Sequence, residues 1–232
     1  MAELTVYSSI GVRSAAEDLF REFETTSGHR LAVTWGTAPM LVKRIEGGEI
    51  ADVLILSRAG IDQLSRQGKI APGSDITLAN SGVAIAVKAG APKPDISTPE
   101  ALKQTLLKAK SIAYSEPSAG GASGVYFAKL IERMGIADQM KPKTKYPPAG
   151  GFSAALLLTG EAELAVQQKP ELLHVAGAEI VGFLPGDLNM VTEFAAGIMP
   201  GSRNDVAAKA LLHMLRSPEA KAAFRSKGLD PR

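Results

Sequence analysis

Four short runs of small and hydroxyl-bearing residues carry most of the chemistry this chain advertises. They are Ser8-Ser9-Ile10-Gly11, Gly36-Thr37-Ala38-Pro39, Ser118-Ala119-Gly120-Gly121-Ala122-Ser123-Gly124 and Gly150-Gly151-Phe152-Ser153. Each joins a hydroxyl to backbone N–H groups, and at least three open into a helix-like pattern. N–H groups at the positive end of a helix dipole hold an anion without a buried counter-ion. The candidate ligand-binding residues are therefore Ser8, Ser9, Thr37, Ala38, Ser118, Ser123, Gly124, Gly151, Phe152 and Ser153, joined by Gln168, which ends a strand-like run as Gln167-Gln168. Capping or turn roles compete with ligand binding at each hydroxyl, because Ser and Thr are common helix caps.

Other chemistries find little support. The chain has no cysteine, which excludes disulfides, thiolate metal sites and cysteine nucleophiles. His29, His174 and His213 lie far apart without ligand-like spacing, so no metal site and no cofactor are expected. The Gly120–Gly124 loop is not followed by Gly-Lys-Ser/Thr and lacks the spaced glycines of a dinucleotide site. No Gly-x-Ser-x-Gly elbow occurs. Trp35, the single tryptophan, is expected in core packing, and Asp52 is expected to satisfy loop N–H groups.

The elements that must position these loops alternate between strand and helix. Strands are expected at Leu4–Tyr7, Leu31–Trp35, Val53–Leu56, Val83–Val87, Ile112–Tyr114, Leu164–Val166, Glu179–Leu184 and Glu193–Ile198. The first helix shows an apolar face of Ala16, Leu19, Phe20 and Phe23 and ends at Gly28, and Ser14 with Glu17 matches a capping box. Further helices are expected at Met40–Ile45, Ile61–Gln67, Pro99–Lys108, Val125–Met134, Ser153–Leu158, Asp205–Leu215 and Pro218–Ser226. Such alternation argues for parallel sheets covered by helices on both faces. All four loops then fall at the carboxyl ends of strands, where open α/β sheets bind ligands. Composition and period restart after the breaker-rich Ala91-Pro92-Lys93-Pro94, which suggests two such units.

The bulk numbers agree with a folded, water-exposed protein. An apolar fraction of 45% and a charged fraction of 22% over 232 residues suit a well-buried core. A net charge of +2 with scattered lysines and arginines gives no footprint for nucleic acid. The apolar runs are far too short to span a bilayer.

Several segments resemble the periplasmic molybdate-binding proteins, within the type II solute-binding proteins of ABC importers. They are Leu4-Thr-Val-Tyr-Ser-Ser, then Met40-Leu-x-x-Arg44-Ile45-Glu46-Gly-Gly-x-x-Ala51-Asp52-Val53, Asn80-Ser81-Gly-Val-Ala-Ile-Ala-Val and Ala122-Ser-Gly-Val-Tyr126. Gly160-Glu-Ala-Glu-Leu-Ala-Val and Leu215-Arg-Ser-Pro-Glu-Ala-Lys-x-x-Phe224 continue the match to the end. The resemblance implies an α/β fold of two lobes with mixed sheets, residues 1–88 with 193–232 forming one and 89–192 the other. Crossovers are implied near 89–94 and 188–192, with the ligand in the cleft between lobes. It implies a periplasmic monomer, its leader removed, that closes on a small anionic ligand and docks on a membrane ABC permease. The molybdate pattern places Ser, a Ser-rich motif and Tyr where this chain has Gly11, Thr37-Ala38-Pro39 and Gln168. Its remaining contacts fall at Ser123 and near Gly150. The Ala119–Gly124 loop and the Gln167-Gln168 pair resemble a divergent branch that includes periplasmic aconitate isomerases.

Three functional readings stand open. A binding protein would hold an oxyanion or small carboxylate with neutral donors. An isomerase of an unsaturated tricarboxylate would need a base for an allylic proton, with Tyr114, Tyr126, Glu116 and Arg13 near the loops. A ligand-sensing domain on the same fold would need a DNA-binding partner, since the chain has no helix-turn-helix.

Overall fold

The structure, a computed structural model, describes residues 1–148 and 150–232. The chain runs β1 (Glu3–Ser9), α1 (Arg13–Ser27), β2 (Arg30–Gly36), α2 (Ala38–Glu46), β3 (Val53–Ser57), α3 (Arg58–Arg66) and the long β4 (Ile76–Lys88). There follow α4 (Pro99–Lys108), β5 (Ile112–Tyr114), α5 (Ala122–Arg133), α6 (Ala137–Met140), β6 (Thr144–Lys145), α7 (Ala155–Leu158), β7 (Leu164–Gln168), α8 (Lys169–Leu173) and β8 (Ala178–Phe183). The chain ends with β9 (Val191–Ile198), α9 (Asp205–Leu215), α10 (Pro218–Ser226) and β10 (Asp230–Pro231). No helix among the described residues is long and apolar enough to cross a membrane.

Two compact units result, Met1–Ser81 with Thr192–Arg232, and Gly82–Val191. The division falls inside β4 and at the start of β9, and Ala91-Pro92-Lys93-Pro94 lies within the second unit.

The first unit orders its strands β2-β1-β3-β9-β4, with β10 paired to β4. β1 pairs in parallel with β2 and β3, while β9 runs antiparallel to β3, so the sheet is mixed rather than parallel throughout. The residue alternation of the strands sorts the core. Leu4, Val6, Val53 and Ile55 face a cluster completed by α1, α9 and α10, whereas Tyr7, Leu54 and Leu56 face one completed by α2 and α3. Gly28 ends α1 in the left-handed region at φ 70°, the conformation glycine adopts without a Cβ penalty.

The second unit orders β4-β7-β5-β6, with β8 on the other side of β4. β5 is parallel to β6 and β7, and β4 is antiparallel to β7 and β8. Val83, Ile85 and Val87 pack toward α4 and α5, and Ala84 and Ala86 pack toward α7 and α8. The alanines on that face let the short helices lie close. The helices at 99–108, 205–215 and 218–226 coincide with expectation, while α6, β6, α8 and β10 carry too few residues for a periodic signal.

One expected cap does not form. Ser14 lies inside α1, its Oγ is buried without a hydrogen-bond partner, and Glu17 is bound by Arg13 Nε at 2.7 Å instead. The chain enters α1 through a 3₁₀ turn, Ile10–Val12, so the cap belongs to that turn and Ser9 provides it.

Candidate functional site

In the first unit the small-residue runs lie at the carboxyl ends of β1 and β2. Ser8, next to last in β1, has its side chain on the core side, fully buried, and its Oγ has no hydrogen-bond partner among the described residues. Ser9 Oγ accepts the Gly11 N–H at 3.4 Å. Gly11 is packed so tightly that a Cβ there would lie 2.4 Å from the Phe194 ring. The serine of the molybdate pattern therefore has no room at this position unless Phe194 moves. Thr37 is the N-cap residue of α2 and its side chain makes no capping bond to the helix, with Ala38 and Pro39 forming the first turn. Val12 likewise precedes α1 without a side-chain cap. The start of α2 keeps N–H groups that no capping side chain takes up, while α1 continues from the 3₁₀ turn, whose Ile10 carbonyl accepts the Arg13 N–H.

The second unit gathers three loops around one buried amide. Gln167, fully buried at the end of β7, accepts through Oε1 from Ser153 N at 2.8 Å and from Ser153 Oγ at 3.0 Å. Its Nε2 donates to Ser115 Oγ at 3.1 Å and toward the Gly151 carbonyl at 3.4 Å. One side chain thus ties β7 to the loop after β5 and to the loop before α7. A buried polar group so fully bonded rigidifies what it joins. Ser153 bonds Gln167 through both its N–H and its hydroxyl and so anchors the loop. Gly151 shares that role through its carbonyl, and Phe152 lies against the His174 ring, centroids 4.5 Å apart and planes tilted by 35°.

Above this anchor stands the N-terminus of α5. Gly121 is its N-cap residue, no side chain caps it, and Ser123 is its second residue, buried. Gly124 permits the arrangement, since a Cβ would lie 2.1 Å from the Ser115 carbonyl oxygen. The first turn of α5 therefore rests directly on the loop that Gln167 holds. Ser118 lies in the exposed 3₁₀ turn Pro117–Ala119 ahead of it. α7 begins at Ala155, and with only Ala155–Leu158 it is a single turn rather than a helix opened by Ser153.

Gln168 is buried and forms a reciprocal capping box with Glu171: its side chain accepts the Glu171 N–H, and Glu171 Oε2 accepts the Gln168 N–H at 3.1 Å. Glu171 is 6% exposed, and burial pushes its carboxyl up to about 7, against the smaller opposing effect of that hydrogen bond. Sequence reasoning passed over Glu171, and the Gln-x-x-Glu spacing after a strand was the signal available. The Gln167 amide is structural.

The residues considered for proton transfer are occupied elsewhere. Tyr114 is buried, its hydroxyl 3.3 Å from that of Tyr146, and burial raises its pKa far above the usual phenol value. Tyr126 donates to the Leu188 carbonyl at 3.0 Å. Arg13 lies over the Trp35 ring, which stacks on Phe20 in the core region as expected. Glu116 is exposed. Asp52 accepts from Thr5 N, Ser202 Oγ and Asn204 Nδ2, a structural knot. Among the described residues no group of three or more His, Asp or Glu is arranged to hold a metal.

Comparison with known proteins places this geometry. A family model described as bacterial extracellular solute-binding protein matches residues 4–230. An aconitate isomerase of Pseudomonas sp is 36% identical over 98% of this chain and 87% of its own length. The molybdate-binding protein of Escherichia coli (strain K12) is 24% identical over 97% of this chain and 88% of its own. The periplasmic molybdate-binding protein of Azotobacter vinelandii superposes with a TM-score of 0.78 at 20% identity, covering 97% of this chain and 98% of that one. The mixed sheets, the loop positions and a match spanning nearly every residue agree: this chain belongs to the bacterial extracellular solute-binding protein family.

Proposed function

We propose that this chain captures a small organic anion bearing two or three carboxylates and delivers it to an ABC importer of the membrane. In the first unit the candidate donors are the N–H groups at the start of α2, with Ser9 and Thr37 nearby in sequence, and in the second unit they are those at the start of α5, with Ser123 beside them. The observation that carries this reading is the pairing of uncapped helix starts with a missing molybdate pattern. Gly11 is closed to a serine by Phe194, Ala38 has no hydroxyl, and Gln168 is bound into a capping box. Neutral dipolar donors still favour an anion, and a relative 36% identical is named for a tricarboxylate substrate. Titration calorimetry with cis-aconitate, trans-aconitate, tricarballylate, succinate, molybdate and sulfate tests it. Binding of a carboxylate with weaker or absent molybdate binding is expected. Tight molybdate binding without carboxylate binding overturns it.

The same relative favours a second reading, isomerisation of a bound unsaturated tricarboxylate. That chemistry removes a proton from one allylic carbon and returns it to another, best done by a group titrating near the working pH. Glu171 is the carboxyl that burial holds near 7. Incubation with cis-aconitate and chromatographic separation of the trans isomer decides the matter. Absence of product at high protein concentration leaves the binding reading alone.

A further inference from the structure

Cations at or just after the carboxyl ends of strands include Arg13 after β1, Arg58 after β3, the exposed Lys88 and Lys145 that end β4 and β6, and the half-buried Lys169 after β7. Two are neutralised. Arg13 bonds Glu17, and Arg58 is held by Glu193 at 3.0 Å, Asp75 at 2.8 Å and Thr77 at 2.7 Å. Lys169 differs. Its Nζ rests over the Phe183 ring, 5.2 Å from the centroid, and no carboxylate among the described residues forms an ion pair with it.

The strand register fixes where this ammonium stands. Gln168 pairs with Val83 and Phe183 pairs with Ala84, so β7 and β8 flank the first residues of β4 in the second unit from opposite sides. Lys169 reaches from one flank to the other, at the carboxyl end of the same strand whose Gln167 anchors the α5 loop. Lys169 is half-buried while Phe183 is 45% exposed, an unusual exposure for a phenylalanine ending a strand. The ring keeps the ammonium in place without neutralising it. A cation–π contact at a half-exposed ring is weaker than a charge-assisted hydrogen bond to a carboxylate, so an incoming carboxylate takes the ammonium over.

We infer that Lys169 is the specificity-determining cation of this chain, pairing with one carboxylate of the bound anion. The assignment rests on the carboxylate reading of the preceding section and names the residue that enforces it. A tetrahedral oxyanion is satisfied by the compact N–H donors alone, whereas an anion with separated carboxylates places a second charge where a mobile lysine stem can meet it.

Calorimetry on wild type, Lys169→Met and Lys169→Arg, with tricarballylate and cis-aconitate as probes and molybdate as control, tests the assignment. Lys169→Met keeps the apolar stem against Phe183, so its melting temperature should match wild type. Its tricarboxylate affinity should fall by about tenfold or more, while Lys169→Arg stays within about threefold of wild type. Phe183→Leu, which frees the lysine and keeps its charge, should retain tricarboxylate binding and guards against a folding defect in Lys169→Met. Equal tricarboxylate affinity in wild type and Lys169→Met overturns the role of Lys169 while leaving the carboxylate reading standing. Wild type that binds neither tricarboxylate overturns both, and that failure shows in the unmutated protein.

Discussion

Replacing Glu171 with glutamine should stabilise the protein at neutral pH, although it removes a native carboxyl. The Glu171 side chain is 6% exposed and accepts one backbone N–H, with no cation paired to it among the described residues. Burial carries its pKa from the ordinary 4.5 to about 7. A carboxyl whose folded pKa is raised binds its proton more tightly folded than unfolded, so stability falls as pH rises through that interval. The contribution is complete below about pH 4.5 and gone by about pH 7. At roughly 1.4 kcal/mol per pH unit, it amounts to about 3 kcal/mol. Glutamine stays neutral throughout and its Oε1 can accept the same Gln168 N–H. Glu171→Gln should therefore match wild type near pH 4.5 and exceed it by about 3 kcal/mol at pH 7.5. For a chain of this size that is about 6–12 °C in melting temperature. Urea and thermal unfolding of both proteins from pH 4.5 to 8 measure it. All other titrating groups are shared, so the difference between the two curves isolates this carboxyl. Parallel curves would refute the reasoning, and so would a glutamine variant less stable at pH 7.5.

Further perturbations probe the loop scaffold. Gly11→Ser should cost about 1–3 kcal/mol in urea unfolding through overpacking on Phe194, and adding Phe194→Leu should recover part of it. Gln167→Ala strands the buried Ser153 N–H and leaves a void, so a loss of about 2–4 kcal/mol is expected, with weakened anion binding by calorimetry. Lys143 donates to the carbonyls of Leu106, Leu107 and Ala109 at 2.8, 2.7 and 2.9 Å, closing the C-terminal end of α4. Lys143→Met should cost about 1–3 kcal/mol by thermal unfolding while leaving ligand affinity unchanged.

What was legible in the sequence divides along a physical line. The long elements were written in period: Leu19, Phe20 and Phe23 announce α1, and Val83–Val87 announces a doubly buried strand. The four small-residue runs were legible as strand-end loops for the same reason, since each follows a strand and three lead into helices or a 3₁₀ turn. The assignments inside those loops were not legible, because one residue type serves opposite ends. Ser9 caps a turn, Ser8 is buried without a partner, Ser153 is an anchor and Ser123 sits at an open helix start. Which role each takes depends on what lies across from it. Gln167 lies 14 residues from Ser153 and 52 from Ser115, and no local pattern predicts that contact.

The departures from the molybdate pattern carry the sharper lesson, because one of them is enforced by packing. Gly11 is held by Phe194. A site that had merely drifted would keep room for the missing serine, and this one has filled that room with an aromatic ring. The first unit has therefore given up a hydroxyl donor for a rigid apolar contact behind its helix start. The same tendency appears in the second unit, where Gln168 and Ser153 spend their polar atoms on the scaffold. What remains for a ligand is mostly backbone N–H, which senses charge and shape but offers little discrimination among anions. On the carboxylate reading, discrimination comes from a charged side chain that the scaffold leaves unneutralised, and Lys169, half-buried against Phe183 at the end of β7, is a cation in that condition.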